Sequence, residues 1–189
     1  MKFQLHKVLD ESSQMSILDE VADNSSLFGK NPIRTSYEGS AHAEVSDILL
    51  RGPMSYDDMQ NKKAPTFANE SLHIALDCYD YPDYKLFKVT RDHVIDLYRL
   101  LNVMEMGRVL ITGLNPSRVI YPHTDEGPVP KYYRRFHYVI QDGGCDMFTI
   151  GNQSQEMKTG QLWEVDVKQT HACMNLGTRS RIHLIMDFH

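Results

Sequence analysis

The C-terminal half of the chain alternates. From Arg108 onward apolar and polar residues exchange places at almost every step, and turn residues interrupt them at short intervals. A period of two puts successive side chains on opposite faces of a strand. Strands are therefore expected at residues 108–114, 119–125, 132–140, 147–150, 160–167, 170–174 and 181–188. Asn115-Pro116-Ser117, Asp142-Gly143-Gly144 and Asn175-Leu176-Gly177 supply turns between them. The first 107 residues are mixed. Residues 3–9 suit a strand, and 15–22 suit a helix with Ser12 and Ser13 as caps. Residues 23–67 are polar, carry scattered Gly, Pro, Asn and Ser, and predict loops with short elements; within them 28–63 are the expected lid. A short strand is expected at 72–76. Thr90 then caps a helix on which Val94, Leu97, Tyr98, Leu101 and Met104 form one apolar stripe, with Asp92 in its first turn.

Many short strands at near-regular spacing indicate a sandwich or barrel. The fold expected is mainly β, a jelly roll with an N-terminal helical layer packed on one face. A length of 189 residues is enough for one core and short for two, so a single domain spanning 1–189 is expected. Within it, residues 1–107 would form the substrate side and lid, and 108–189 the β core with the functional site. The last strand divides cleanly. Ile182, Leu184 and Met186 make a packed outer face. Arg181, His183 and Asp187, with Ile185, face the other way, and such a polar inward face suits a ligand cavity better than a dry core.

Composition narrows the function classes. A net charge of −5 argues against nucleic acid or an anionic membrane as partner. No apolar run approaches the roughly 20 residues of a membrane span, and the N-terminal residues lack the apolar core of a signal peptide. Cys78, Cys145 and Cys173 are few, far apart and odd in number, so reduced thiols and a cytoplasmic location are expected. The expected assembly is a monomer or homodimer.

The candidate chemistry lies in the alternating half. His123-Thr124-Asp125 is an HxD pair, and on a strand its imidazole and carboxylate share a face. That suits two cis ligands of a non-haem iron, whose facial triad needs one further His, and His171 is the candidate. Alone the pair is weak, because Pro122 equally suits a surface turn. Its company adds weight. Arg181 has the planar fork that binds a carboxylate bidentately. Arg135 and His137 share a face and could hold an anion. The Thr112 hydroxyl could supplement Arg181. His6, His42, His73, His93 and His189 show no paired spacing, and the tract 78–84 is expected to be an exposed turn.

The passages TGLNPSRVIYPHTD (112–125), RRFH (134–137) and GQLWEVDVKQTHACMNLGTRSRIHLIMD (160–187) resemble the aspartyl/asparaginyl β-hydroxylase family of Fe(II)/2-oxoglutarate-dependent oxygenases and the related bacterial proline hydroxylases. The resemblance runs from about Val109 to Asp187. It implies a double-stranded β-helix, the cupin-like variant of the jelly roll. It implies that His123 and His171 bind iron, and that Arg181 binds the distal carboxylate of 2-oxoglutarate with Thr112 in support. Arg135 and His137 match an RxH near a co-substrate or substrate carboxylate, and Trp163 belongs to the core. Animal members have Gly where this chain has Asp125, so Asp125 makes the site more like that of the proline hydroxylases. The activity implied is hydroxylation of an amino-acid-type substrate, a free amino acid or a residue in a peptide or protein. It would use Fe(II), 2-oxoglutarate and O2 and release succinate and CO2. The competing readings are a cupin-like isomerase or hydrolase with another metal, which would not need Arg181, and a jelly-roll binding module without chemistry.

Overall fold

The computed structural model describes residues 2–31, 34–35, 38–53 and 77–189, and in them the alternation resolves into two antiparallel sheets. In chain order the elements are β1 (Phe3–Val8), α1 (Glu11–Asp23), β2 (Val45–Gly52), β3 (Tyr79–Asp80), α2 (Lys88–Leu100), β4 (Met106–Leu114) and β5 (Val119–His123). The one-turn α3 (Val129–Tyr132) follows, then β6 (Arg134–Gln141), β7 (Asp146–Ile150), β8 (Gln153–Gln155), β9 (Gln161–Val165), β10 (His171–Asn175) and β11 (Arg181–Phe188). The larger sheet runs β1-β9-β6-β11-β4-β2-β3 and the smaller β5-β10-β7-β8. This is a double-stranded β-helix, mainly β, with the helices on one face. Among the described residues no helix is long and apolar enough to cross a membrane.

The pleat of the larger sheet separates two cores. Ile182, Leu184, Met186 and Phe188 of β11, Phe136, Tyr138 and Ile140 of β6, and Val109 and Ile111 of β4 pack with Ile17 and Val21 of α1 and Val94 and Leu97 of α2. The opposite face turns toward the smaller sheet. There Val139, Trp163 and Leu114 meet Phe148, Ile150 and Cys173. Trp163 is core, as expected. Apart from Leu110 and Ile185, the inward positions of β4, β6 and β11 that do not join this cluster are polar, among them Arg108, Thr112, Arg135, His137, Arg181, His183 and Asp187. Strand periodicity alone thus gathers the polar side chains between the sheets.

The helix starts differ from expectation. Asp10, not Ser12 or Ser13, caps α1, accepting from the Ser13 N–H at 3.0 Å. Thr90 lies inside the first turn of α2, and Asp92 is outside that turn. Its cap comes from another element: the Glu20 carboxylate of α1 accepts from the N–H groups of Val89 and Thr90 at 2.8 Å each and from the Thr90 hydroxyl at 2.7 Å. A carboxylate at a helix N-terminus meets both the free N–H groups and the positive end of the dipole.

The largest departure is β2. It lies in the tract expected to be loop and lid, yet eight residues form a strand that pairs with β4 in the larger sheet. Ile48-Leu49-Leu50 breaks the alternation because both faces of this strand are covered, and the polar flanks hide it. Residues 45–52 are therefore a structural strand and not a cover; 54–63 and the strand expected at 72–76 lie outside the described residues. The tract 78–84 is also not an exposed turn, since Tyr81 and Tyr84 are buried. The cysteines are free thiols.

Candidate metal and co-substrate site

β5 and β10 are neighbours in the smaller sheet, and their register sets His123 opposite His171, with ring centroids 4.2 Å apart. Each imidazole is oriented by its own main chain. Nδ1 of His123 donates to the Tyr121 carbonyl at 2.8 Å, and Nδ1 of His171 to the Gln169 carbonyl at 3.0 Å. A carbonyl only accepts, so Nδ1 carries the hydrogen and the Nε2 lone pair is left for a ligand. β5 stops at His123, and Asp125 sits just beyond it, anchored by its N–H on the Val167 carbonyl at 3.2 Å. Its Oδ1 lies 3.4 Å from His123 Nε2 and 3.9 Å from His171 Nε2. One donor atom from each of the three residues lies within 4.8 Å of the others. His123 Nε2 is buried with no hydrogen-bond partner. Two oriented imidazoles and a carboxylate form the donor set of a facial iron triad, so the residues present fit Fe(II).

Charge keeps Asp125 ionised. Burial works against its carboxylate, but the adjacent His123 imidazole and the charge of Arg108 outweigh it and hold its pKa at about 2. Burial pushes His171 down. It also opposes protonation of His123, but Asp125 overcomes it and raises that group.

Behind Asp125 stands an ion-pair network. Arg135 donates through Nη1 to Asp125 Oδ2, and through Nε and Nη2 to Asp187 at 2.7 and 3.1 Å. Arg108 donates to the same Asp187 at 2.7 Å. The family resemblance implies a co-substrate or substrate carboxylate for Arg135; its guanidinium is engaged instead by two carboxylates of the chain. Asp187 is 1% exposed, and burial pushes its pKa up despite the two arginines.

Arg181 occupies the far end of the inward face. It is 1% exposed, and its Nε, 3.3 Å from Asp146, makes no hydrogen bond. Its Nη2 donates to His183 Nδ1 at 3.0 Å, so the His183 hydrogen is on Nε2, which is buried and unpartnered among the described residues. His137 Nδ1 lies 3.4 Å from the same nitrogen. The Phe148 ring stands 5.9 Å from the His171 ring and 5.9 Å from the Arg181 guanidinium carbon, linking the triad to this cation. Thr112 faces His183 across β4 and β11, and its Oγ1 accepts from Arg34 at 3.3 Å. The expected residues thus meet in one interior, with His137 one strand from Arg181.

Sequence spacing passes over several members. His42 has no paired spacing, yet its ring lies 4.5 Å from that of His123. Arg34, Asp47, Arg108 and Asp146 reach the site from separate strands or loops and carry no local spacing that would reveal them. Asp187 is legible as an inward-facing residue but not as the anchor of two arginines. A cavity of about 200 Å³ adjoins the site through Arg135, and Tyr133, Arg134, Glu164, Asp166 and Lys168 also line it.

Four histidines are neutral when folded. Burial, first among the causes in each case, holds His42 at about 2 and His93 at about 4, and His137 and His183 well below 6.5. Below about pH 6.5 the unfolded chain binds protons that the folded one refuses, so their contribution is complete above that pH and lost as pH falls. Each group gives a slope of about 1.4 kcal/mol per pH unit, and His123, raised, offsets one of them. The urea midpoint of the apoprotein is expected to drop from pH 7 to pH 5, with a shallower slope in His93→Gln. A midpoint independent of pH in that window would contradict this.

Residues 79–189, more than half of the chain, match the sequence pattern of the family described as aspartyl/asparaginyl β-hydroxylase, which reaches back to Tyr79 beyond the expected start at Val109. No curated protein matches. Three solved structures share the fold over nearly the whole chain. A Pseudomonas putida prolyl-4-hydroxylase superposes with TM-score 0.57 at 11% identity, covering 100% of this chain and 92% of that one. The 2-oxoglutarate complex of a viral collagen prolyl hydroxylase from Paramecium bursaria Chlorella virus-1 gives 0.56 at 8% identity, covering 100% and 95%. A 2OG-Fe(II) oxygenase family oxidoreductase from Burkholderia pseudomallei gives 0.52 at 8% identity, covering 98% and 94%.

Proposed function

The chain belongs to the aspartyl/asparaginyl β-hydroxylase family, and on that premise we propose that it hydroxylates an amino-acid-type substrate through His123, Asp125, His171 and Arg181. It is an Fe(II)- and 2-oxoglutarate-dependent hydroxylase. The observation that carries the residue assignment is the convergence of three donor atoms within 4.8 Å, with both Nδ1 atoms tied to the backbone.

When bound, Fe(II) supplies the oxidising chemistry: O2 and 2-oxoglutarate are consumed, succinate and CO2 leave, and one oxygen atom enters a substrate C–H bond. The chain supplies the geometry. His123 and His171 present Nε2, fixed by their main-chain hydrogen bonds. Asp125 presents Oδ1 while Arg135 holds Oδ2, so the carboxylate cannot swing away. Arg181, buried and lacking a hydrogen bond from Nε, receives the distal carboxylate of 2-oxoglutarate, and the Thr112 hydroxyl donates to it. A cupin-like isomerase or hydrolase would not require such an anchor.

The substrate class rests on the family and on the cavity beside Arg135. Its volume of about 200 Å³ falls below the roughly 300–1,000 Å³ of pockets for drug-sized ligands, which suits a single residue. Lys168 and Asp166 offer both signs of charge to an amino acid or a peptide unit, beside the mutually paired Arg134 and Glu164. His137, one strand from Arg181, adds a neutral hydrogen-bonding group to the co-substrate wall.

The test is anaerobic. Apoprotein mixed with Fe(II) and then 2-oxoglutarate should develop the visible charge-transfer band of a bidentate 2-oxo acid chelate. Arg181→Met should need on the order of 100-fold more 2-oxoglutarate for the same band, the loss of one buried charge-assisted pair. No band in the unmodified protein at saturating iron and 2-oxoglutarate sinks the assignment.

A further inference from the structure

Arg34 lies in the polar tract ahead of β2, far in sequence from every residue assigned above, yet its guanidinium enters the same interior. Nε donates to Asp47 Oδ2 at 2.8 Å and Nη2 to Asp47 Oδ1 at 3.0 Å. Nη2 also donates to Thr112 Oγ1 at 3.3 Å. Asp47 is on β2, directly opposite Thr112 on β4, and Thr112 is directly opposite His183 on β11. Asp47, Thr112 and His183 therefore form one row across three strands, with Arg34 touching its first two members and Arg181 its last. The Arg34 backbone is fixed as well, since Ser40 Oγ donates to its carbonyl at 2.7 Å.

Two features of this row are unexplained if Arg181 alone receives the co-substrate. The first is charge. Asp47 is 1% exposed and points inward, and Asp146 lies 3.3 Å from Arg181. Two carboxylates against one arginine would make this end of the interior repel a dianion. Arg34 brings it to balance. The second is direction. The Thr112 oxygen already accepts from Arg34, so its own hydrogen is left to donate to an anion in the interior. Arg34 also remains reachable: its side chain is 22% exposed, against 1% for Asp47. The Arg34 charge is felt at His42 and His137, on either side of the interior.

We propose that Arg34 is a second cationic anchor for the distal carboxylate of 2-oxoglutarate, held in place by Asp47 and acting beside Thr112 and Arg181. This rests on the reading of Arg181 given above. Arg34 is a co-substrate-positioning residue, and it ties the tract before β2 to occupancy of the co-substrate site. A bound dicarboxylate would close the row, with Arg34 and Arg181 on its two sides.

The experiment is titration of the anaerobic chelate band with 2-oxoglutarate and with pyruvate, which lacks the distal carboxylate. Arg34→Met leaves Asp47 buried and unpaired and could fail to fold. The double variant Arg34→Met/Asp47→Asn removes both charges and is titrated beside it. Half-saturation by 2-oxoglutarate is expected to rise on the order of 100-fold in Arg34→Met and at least about 10-fold in the double variant. Half-saturation by pyruvate should stay within about twofold, so the preference for the dicarboxylate shrinks. If the double variant binds 2-oxoglutarate as tightly as the unmodified protein, Arg34 serves only to offset Asp47 and the inference is overturned. An unchanged requirement in Arg34→Met overturns it too. Either result, with Arg181→Met still impaired, leaves the proposed function standing; absence of the band from the unmodified protein would strike at that function instead.

Discussion

Alanine in place of His171 should abolish the iron–2-oxoglutarate band and reduce turnover below detection, while the fold survives. In the proposed triad His171 is one of two nitrogen donors, and β10 places it in the middle of the smaller sheet with register partners on both sides. His42 does not stand in for it, since its ring lies against that of His123 but none of its atoms is among the three donors that converge. Loss of an outer partner of a metal ligand typically weakens metal binding about 10–100-fold, and loss of the ligand itself should exceed the upper end. Stability should fall only modestly: the ring lost packs against His123 and Phe148 and leaves a cavity, but both sheet ladders of β10 remain. Equilibrium dialysis with Fe(II) and a urea titration measure the two effects separately. Full iron affinity in His171→Ala would remove His171 from the site.

The second large effect concerns a residue that touches no ligand. Asp187 accepts from both Arg108 and Arg135, and all its partners are drawn from the inward faces of neighbouring strands. Asp187→Asn leaves two guanidinium groups facing an amide. Removal of one member of a buried ion pair costs about 3–5 kcal/mol, and here Arg108 loses the carboxylate it donates to while Arg135 keeps only Asp125. A substantial fall in thermal midpoint is expected, on the order of 10 °C or more for a domain of this size. Iron affinity should fall too, because Arg135 is the residue that fixes Asp125. Conservative replacement of Arg108 by Lys should be milder in both respects, as Asp187 keeps Arg135. Calorimetry of the three proteins decides; equal midpoints for Asp187→Asn and the unmodified protein would contradict the account of the network.

These residues also show what can be read from sequence. The inward and outward faces of β11 are legible because Ile182, Leu184 and Met186 alternate with Arg181, His183 and Asp187, with Ile185 the one apolar residue on the inward face. The HxD pair is legible because its two members are local. β2 is not, since a strand covered on both faces loses the alternation that identifies it, and Ile48-Leu49-Leu50 sits among polar residues. The cap of α2 escapes the sequence for a different reason. Thr90 has the right chemistry, but the carboxylate that caps this helix belongs to Glu20, about seventy positions away by the hydrogen bond formed. Arg34 and Asp47 share this property. A guanidinium placed in a loop gains its meaning from the strand it lands on, and only the three-dimensional register supplies that.

The division of labour between the sheets has a consequence for folding. His123 and His171 belong to the smaller sheet, whereas Arg181, Thr112 and Arg135 belong to the larger one. Among the described residues no strand-to-strand ladder joins the two sheets, so a dicarboxylate held at both ends would act as a rivet between them. Occupancy at 100 times the dissociation constant would then add about 2.7 kcal/mol to the folded state. The unfilled enzyme would be the looser material, and cellular co-substrate supply would set its lifetime as well as its rate.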